Sequence, residues 1–137
     1  MKKIRMIHTS DWHLGNTMNE RSRDEENLAF LRWLHSKIVE RDINVLVIAG
    51  DIFDTKMPSS TAQAMYYSFL AGLRNTNCRN IIVIGGNHDN ASLLDAPKYL
   101  LEAFNISVIG SIKGRTNDDL VIKLKDENQE VFALVCA

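Results

Sequence analysis

The chain has 137 residues, with 16 Lys and Arg against 17 Asp and Glu for a net charge of −1, and 45% of its residues are hydrophobic. That much apolar surface supports one packed domain and excludes a disordered chain, while 7 glycines and 2 prolines exclude a collagen-like or low-complexity one. The longest apolar runs, 45–49 and 81–84, fall far short of the ~18 residues of a membrane span. Residues 1–5 have no apolar segment or cleavage site of a leader behind them, and Cys78 and Cys136 are too few for a disulfide framework. A soluble, cytoplasmic protein is expected. Its near-zero charge argues against tight, unaided DNA binding, yet leaves a phosphate-containing substrate open if metal ions supply positive charge.

Along the chain, residues 4–9 read as a strand. After an irregular stretch, Ser22 and Glu25 form a capping-box pair that opens a helix, with Leu28, Leu31, Leu34 and Ile38 at helical spacing. Residues 45–48 are a β-branched, buried strand. A second helix starts near Ser60 and places Ala62, Met65, Phe69 and Leu73 on one face. Residues 81–84 are a third strand, 97–104 a helix with Pro97 in its first turn, and 106–109 a fourth strand. Residues 120–125 and 130–136 alternate about an Asp126-Glu127-Asn128 turn and predict a hairpin. Strands alternating with helices imply β-α-β units around a parallel sheet, with antiparallel strands toward the C-terminus. Because the last residues, Val135-Cys136-Ala137, read as a buried strand, the chain is expected to be cut there.

Each of the first three strands runs into a polar cluster: Ser10-Asp11-Trp12-His13, Gly50-Asp51-Ile52-Phe53-Asp54 and Gly85-Gly86-Asn87-His88-Asp89. In a parallel sheet these ends share one edge, where α/β proteins hold their ligands. Asp11, His13, Asp51, Asp54, Asn87, His88 and Asp89 would then meet, and carboxylates so gathered repel one another unless cations join them. Carboxylate, imidazole and amide oxygen without thiolate suit Mn²⁺, Fe²⁺ or Zn²⁺. Asp51, in the middle cluster, is the natural bridge between two ions ~3.5–4 Å apart, a pairing used for phosphoryl displacement. Glycines beside Asp51 and Asn87 allow sharp backbone turns. Each cluster alone is an ordinary turn; all three in this order, each closing a strand, point to a site.

These motifs resemble the calcineurin-like metallophosphoesterase family, whose pattern is D-x-H, G-D-x-x-D and G-N-H-[DE]. Residues 7–15, 49–54 and 86–89, with Ala29 to Trp33 and Pro58-Ser59, are most similar to its SbcD-type nuclease subunits, over nearly the whole chain. The resemblance implies an α/β fold with mixed β-sheets flanked by helices, of which residues 1–137 would be the N-terminal part. It implies that Asp11, His13 and Asp51 bind one metal, and Asp51 and Asn87 a second. His88 would face the scissile phosphate, Asp54 would hold His88 in orientation, and Asp89 would be a structural hydrogen-bonding residue. The family continues with a Gly-His and a Gly-His-x-His that complete both metal spheres; here the histidines are His8, His13, His35 and His88, so this length alone is expected to be inactive.

The same resemblance implies Mn²⁺ at a dinuclear site. It also implies 3′→5′ exonuclease and hairpin-opening endonuclease activity on double-stranded DNA, and a coiled-coil ATPase partner. A homodimer is expected, formed through the 59–74 or 91–104 helices. The alternatives are a phosphoesterase acting on nucleotides or phosphoproteins, and a noncatalytic dimerisation or docking module. Elsewhere, His8 is expected to be a buried strand histidine, His35 half-buried packing, and Trp33 and the Met65-Tyr66-Phe69 stripe helix packing. Trp12 stays open between packing and base stacking. Arg21, Arg23 and Lys56 are read as exposed charge, with DNA phosphate contact as the alternative.

Overall fold

The computed structural model describes residues 4–126 and 128–137. In chain order it holds β1 (Met6–Thr9), a short pair β2 (Thr17–Met18) and β3 (Arg21–Ser22), α1 (Asp24–Glu40), β4 (Val45–Ala49) and α2 (Ser60–Gly72). There follow β5 (Asn80–Ile84), α3 (Ala91–Asp95), α4 (Lys98–Glu102), β6 (Ile106–Ile109), β7 (Val121–Lys125) and β8 (Val131–Cys136). The central sheet runs β1-β4-β5-β6, and all its pairings are parallel. Antiparallel pairing is confined to β2–β3 and β7–β8.

The alternation of side chains along β4 and β5 sorts the core into two layers. Leu46, Ile48, Ile81 and Val83 pack with Leu31, Leu34 and Ile38 of α1, with Met65 and Phe69 of α2, and with Leu94 and Leu101 of α3 and α4. Val45, Val47 and Ile82 face the other way, against Leu124, Ile122, Ala133 and Val135 of the β7–β8 hairpin. Both faces of these two strands are therefore dry, which is why they read as unbroken apolar runs. Asn80 fastens the hairpin to the sheet: its Nδ2 donates to Lys125 O at 3.0 Å and its Oδ1 accepts from Lys125 N at 3.1 Å.

Several local expectations change. The capping box at Ser22 does not form. Ser22 is held in the β2–β3 ladder opposite Thr17, so α1 starts at Asp24 with Arg23 as an N-cap that makes no side-chain bond. The acidic first turn, Asp24, Glu25 and Glu26, meets the positive end of the helix instead. In α2 the cap is Ser59, whose Oγ accepts from Ala62 N at 3.1 Å. The helix expected at 97–104 forms as the shorter α4, with Pro97 as its N-cap, and a further short helix that was not expected, α3, capped by Asn90 on Leu93 N, precedes it.

His8 is exposed rather than buried, because β1 is an edge strand and the hairpin covers β4 and β5 but not β1. Trp33 is 55% exposed, its ring stacked on Phe30 at 6.1 Å, since it points off the apolar face of α1. Trp12 is a core residue: it meets Phe30 and Phe69 edge-on at 5.8 and 5.3 Å and donates from Nε1 to Thr9 Oγ1. It is not available to stack on a base. His35 is half-buried against Gly72, and the 65–69 stripe packs as expected. Position 127 of the expected hairpin turn, and residues 1–3 of the N-terminal reading, lie outside the described residues. Among the described residues no helix is long and apolar enough to cross a membrane.

Candidate metal centre

Parallel pairing continues past the ends of β1, β4 and β5 and zips their loops together. Asp11 N donates to Gly50 O at 3.0 Å, His13 N to Asp51 O at 3.0 Å, Leu14 N to Ile52 O at 2.9 Å and Gly50 N to Ile84 O at 2.8 Å. Leu14, Ile52 and Phe53 are fully buried and anchor these loops in the core. The polar residues between the anchors are left facing the open edge.

Asp11, His13 and Asp51 all have left-handed backbones, with φ of 56°, 46° and 51°. For residues carrying a Cβ this conformation costs roughly 1–2 kcal/mol each. It persists here because the zipped loops overdetermine it. Gly86 permits the approach: a Cβ there would overlap both the backbone N and Oδ1 of Asp51. Gly86→Ala is therefore expected to displace Asp51, lowering stability by about 1–3 kcal/mol. It should also weaken any divalent-metal binding at this candidate site, as thermal melting and a metal titration on the same sample would show.

The side chains of these three residues converge. His13 Nε2 lies 3.8 Å from Asp11 Oδ1 and 4.0 Å from Asp51 Oδ2, and the three donor atoms lie within 4.8 Å of one another. Two donors at ~2.1 Å from a shared ion stand at most ~4.2 Å apart, so both histidine–carboxylate separations lie within reach of one divalent cation. Nitrogen and carboxylate oxygen without sulfur also fit such an ion chemically. Asp51 is placed to serve two neighbours, since its other oxygen, Oδ1, accepts from His88 N at 3.1 Å.

His88 is exposed, and its Nδ1 lies 3.0 Å from the main-chain carbonyl of Asp54. That carbonyl raises the His88 pKa above the usual histidine value; slight desolvation opposes it, and the charges of Asp51, Asp54 and Asp89 assist it. The rings of His13 and His88 meet edge to face at 5.1 Å. Asn87 is exposed on the same turn, next to Gly86. Asp89 is 6% exposed and ties two loops together: Oδ2 accepts from Gly86 N at 2.8 Å and Ile52 N at 3.1 Å, and Oδ1 from Phe53 N at 2.9 Å. It is the structural residue expected from the sequence.

Asp54 departs from expectation. Its main chain, not its carboxylate, meets His88, and the carboxylate lies 3.3 Å from Nδ1 of His13. Asp54 N itself donates to Leu14 O at 3.2 Å, joining this residue to the β1 loop. Two supports were not foreseen. Ser10 Oγ donates to Asp11 Oδ2 at 2.5 Å, and Asn16, whose N donates to His13 O, accepts from the buried Asn27 Nδ2 at 3.4 Å. Asn27 left a readable signal, a polar residue in line with Leu31, Leu34 and Ile38 on the inward face of α1.

The sequence pattern of the calcineurin-like phosphoesterases matches residues 4–134. Among curated proteins the chain is 37% identical over 139 residues to the SbcD subunit of the nuclease SbcCD from Rhodobacter capsulatus, covering 98% of this chain and 34% of that protein. The corresponding SbcD protein of Escherichia coli K12 is 37% identical over 79% of this chain, and that of Bacillus subtilis 40% over 78%. The alignments cover 27% of each of those two proteins, so the chain spans about a third or less of its relatives' length. The family's domain implies divalent metal ions, in keeping with the Asp11, His13 and Asp51 donor set. A match that runs through all three strand ends means that the chain belongs to the calcineurin-like phosphoesterase family.

Proposed function

We propose that this chain forms part of the active site of an SbcD-type DNA nuclease subunit, a metal-dependent phosphodiesterase acting in the cytoplasm on double-stranded DNA ends and hairpins. The observation that carries the reading is the convergence of Asp11, His13 and Asp51 within 4.8 Å at the sheet edge of a chain 37–40% identical to nuclease subunits. In this reading Asp11, His13 and Asp51 hold one ion, and Asp51 and Asn87 contribute to a second. Further donors belong to the complete gene product. When bound, the ions, Mn²⁺ by preference, polarise the phosphodiester and lower the pKa of an attacking water.

The chain's own residues then bind and orient. His88, with Nδ1 engaged by the Asp54 carbonyl, offers Nε2 to the scissile phosphate and the departing oxygen. Asp89 keeps the Asp51 and His88 loops in register. The exposed Arg21 and Lys56, and the half-exposed Arg23, which pairs with Glu26 at 3.7 Å, follow the first two strand-end motifs in sequence and would offer their charge to DNA phosphates. A net charge of −1 leaves most of the grip on DNA to an SbcC-like coiled-coil ATPase, and the protein acts as a homodimer.

The test is Mn²⁺-dependent hydrolysis by the complete gene product with its ATPase partner. The substrates are a blunt DNA duplex, a DNA hairpin, a cyclic nucleotide and a phosphopeptide. Release of nucleotides from the 3′ end and opening of the hairpin is the expected result. Turnover of the nucleotide or phosphopeptide with none of DNA would replace the substrate class. Self-association without Mn²⁺ binding would make the chain a docking module.

A further inference from the structure

Asn27 is a polar residue where the pattern of α1 calls for an apolar one. It lies in line with Leu31, Leu34 and Ile38 on the inward face and is 9% exposed. Its two nitrogens close a ring of hydrogen bonds at the base of the β2–β3 hairpin. The side-chain Nδ2 donates to Asn16 Oδ1 at 3.4 Å, the main-chain N to Arg23 O at 2.9 Å, and Arg23 N donates to Asn16 O at 3.2 Å. We propose that Asn27 is a positioning residue for His13: it holds Asn16, and through Asn16 the turn that presents the imidazole to Asp11 and Asp51. The inference rests on the phosphoesterase reading above and gives α1 a part in building the candidate metal centre.

Three observations carry it. First, the turn is closed from Asn16, whose N donates to His13 O at 3.1 Å. Second, the turn would relax if released, because His13 has φ of 46°, a left-handed backbone that disfavours a residue with a Cβ. On the sheet side Leu14 N holds it to Ile52 O at 2.9 Å; on the helix side the holding falls to Asn16. Third, an amide buried on an apolar helix face is unfavourable unless it is bonded, and leucine there would extend the stripe of α1. Among the described residues the hydrogen bond that the Asn27 side chain makes goes to Asn16. The same ring includes the main chain of Arg23, so the hairpin and the His13 turn keep one register.

The test compares Asn27→Leu and Asn27→Ala with the wild type in the complete gene product. Amide hydrogen exchange is read residue by residue on the metal-free protein, Mn²⁺ affinity by electron paramagnetic resonance, and stability by melting. In both variants the amides of Asn16 and Arg23 should exchange about 3- to 10-fold faster, the equivalent of one net hydrogen bond, with Leu14 unmoved. Mn²⁺ should bind about 3- to 10-fold more weakly, less than the loss for a group bonded to a ligand side chain itself. Asn27→Leu should nevertheless melt at or above the wild-type temperature, because it completes the apolar face. Stability and metal affinity then move apart, which a merely structural residue would not produce. Asn27→Ala inserts no bulk and guards against a clash made by leucine. Unchanged exchange at Asn16 and Arg23, an equal rise at Leu14, or unchanged Mn²⁺ affinity in both variants would overturn the assignment. A wild-type protein that binds no divalent ion would overturn the phosphoesterase reading instead, and the exchange rates would still decide whether Asn27 holds the turn.

Discussion

Replacing His88 by alanine in the complete gene product is expected to reduce Mn²⁺-dependent phosphodiester hydrolysis by about 10²- to 10⁴-fold, the range carried by a positioned proton donor. Mn²⁺ affinity should stay within about threefold. The two effects separate because His88 serves the site through two different atoms. Its backbone N donates to Asp51 Oδ1 at 3.1 Å, a bond that alanine keeps, so the orientation of the proposed ligand Asp51 survives. Its ring is exposed and bound only to the Asp54 carbonyl, so its removal leaves no buried polar group stranded. Single-turnover hydrolysis and a Mn²⁺ titration on the same preparation decide it. Parallel loss of metal and activity would show that the ring is a ligand and refute its placement against the phosphate.

The second large effect is on folding. Asp89→Ala should destabilise the protein by roughly 3–5 kcal/mol, because bonds to a buried carboxylate are each worth about 1.5–3 kcal/mol and here removal strands three backbone N–H groups. Those groups belong to Ile52, Phe53 and Gly86, so the loss falls on the joint between the β4 and β5 loops. Asp89→Asn keeps one oxygen and should cost about half as much. Denaturant unfolding curves with unchanged slopes would report these differences directly. A penalty below about 1 kcal/mol in the alanine variant would mean that the loops are joined by the strand-end backbone bonds alone.

What the sequence reveals depends on how local the cause is. Residues 45–49 and 81–84 are legible as strands because each is buried on both faces and carries no polar interruption. His8 reads as buried by the same pattern, but whether a strand lies at an edge is decided by its partners, not its own residues. Ser22 keeps part of its capping chemistry, its Oγ accepting from Asp24 N at 3.1 Å, but its backbone goes to β2–β3, a pair of two-residue strands too short to show any period. The five-residue α3 is missed for the same reason. At the site, residue types announce the chemistry of Asp11, His13 and Asp51, whereas the split duty of Asp54 could not be read. A letter does not say whether its carbonyl or its carboxylate will do the holding.

The left-handed turns at Asp11, His13 and Asp51 bear on how the protein meets an ion. An ion that must gather floppy donors gives up part of its binding energy to order them. In the proposed site that ordering would be completed during folding, so the candidate donors would be preorganised and an ion would meet little further entropic penalty. The counterpart is a fold held below the stability its core would otherwise give it, by a few kcal/mol concentrated at one edge. Relaxing those turns would produce a sturdier protein with a poorer grip on metal, so at this edge thermal robustness and metal affinity are opposing quantities.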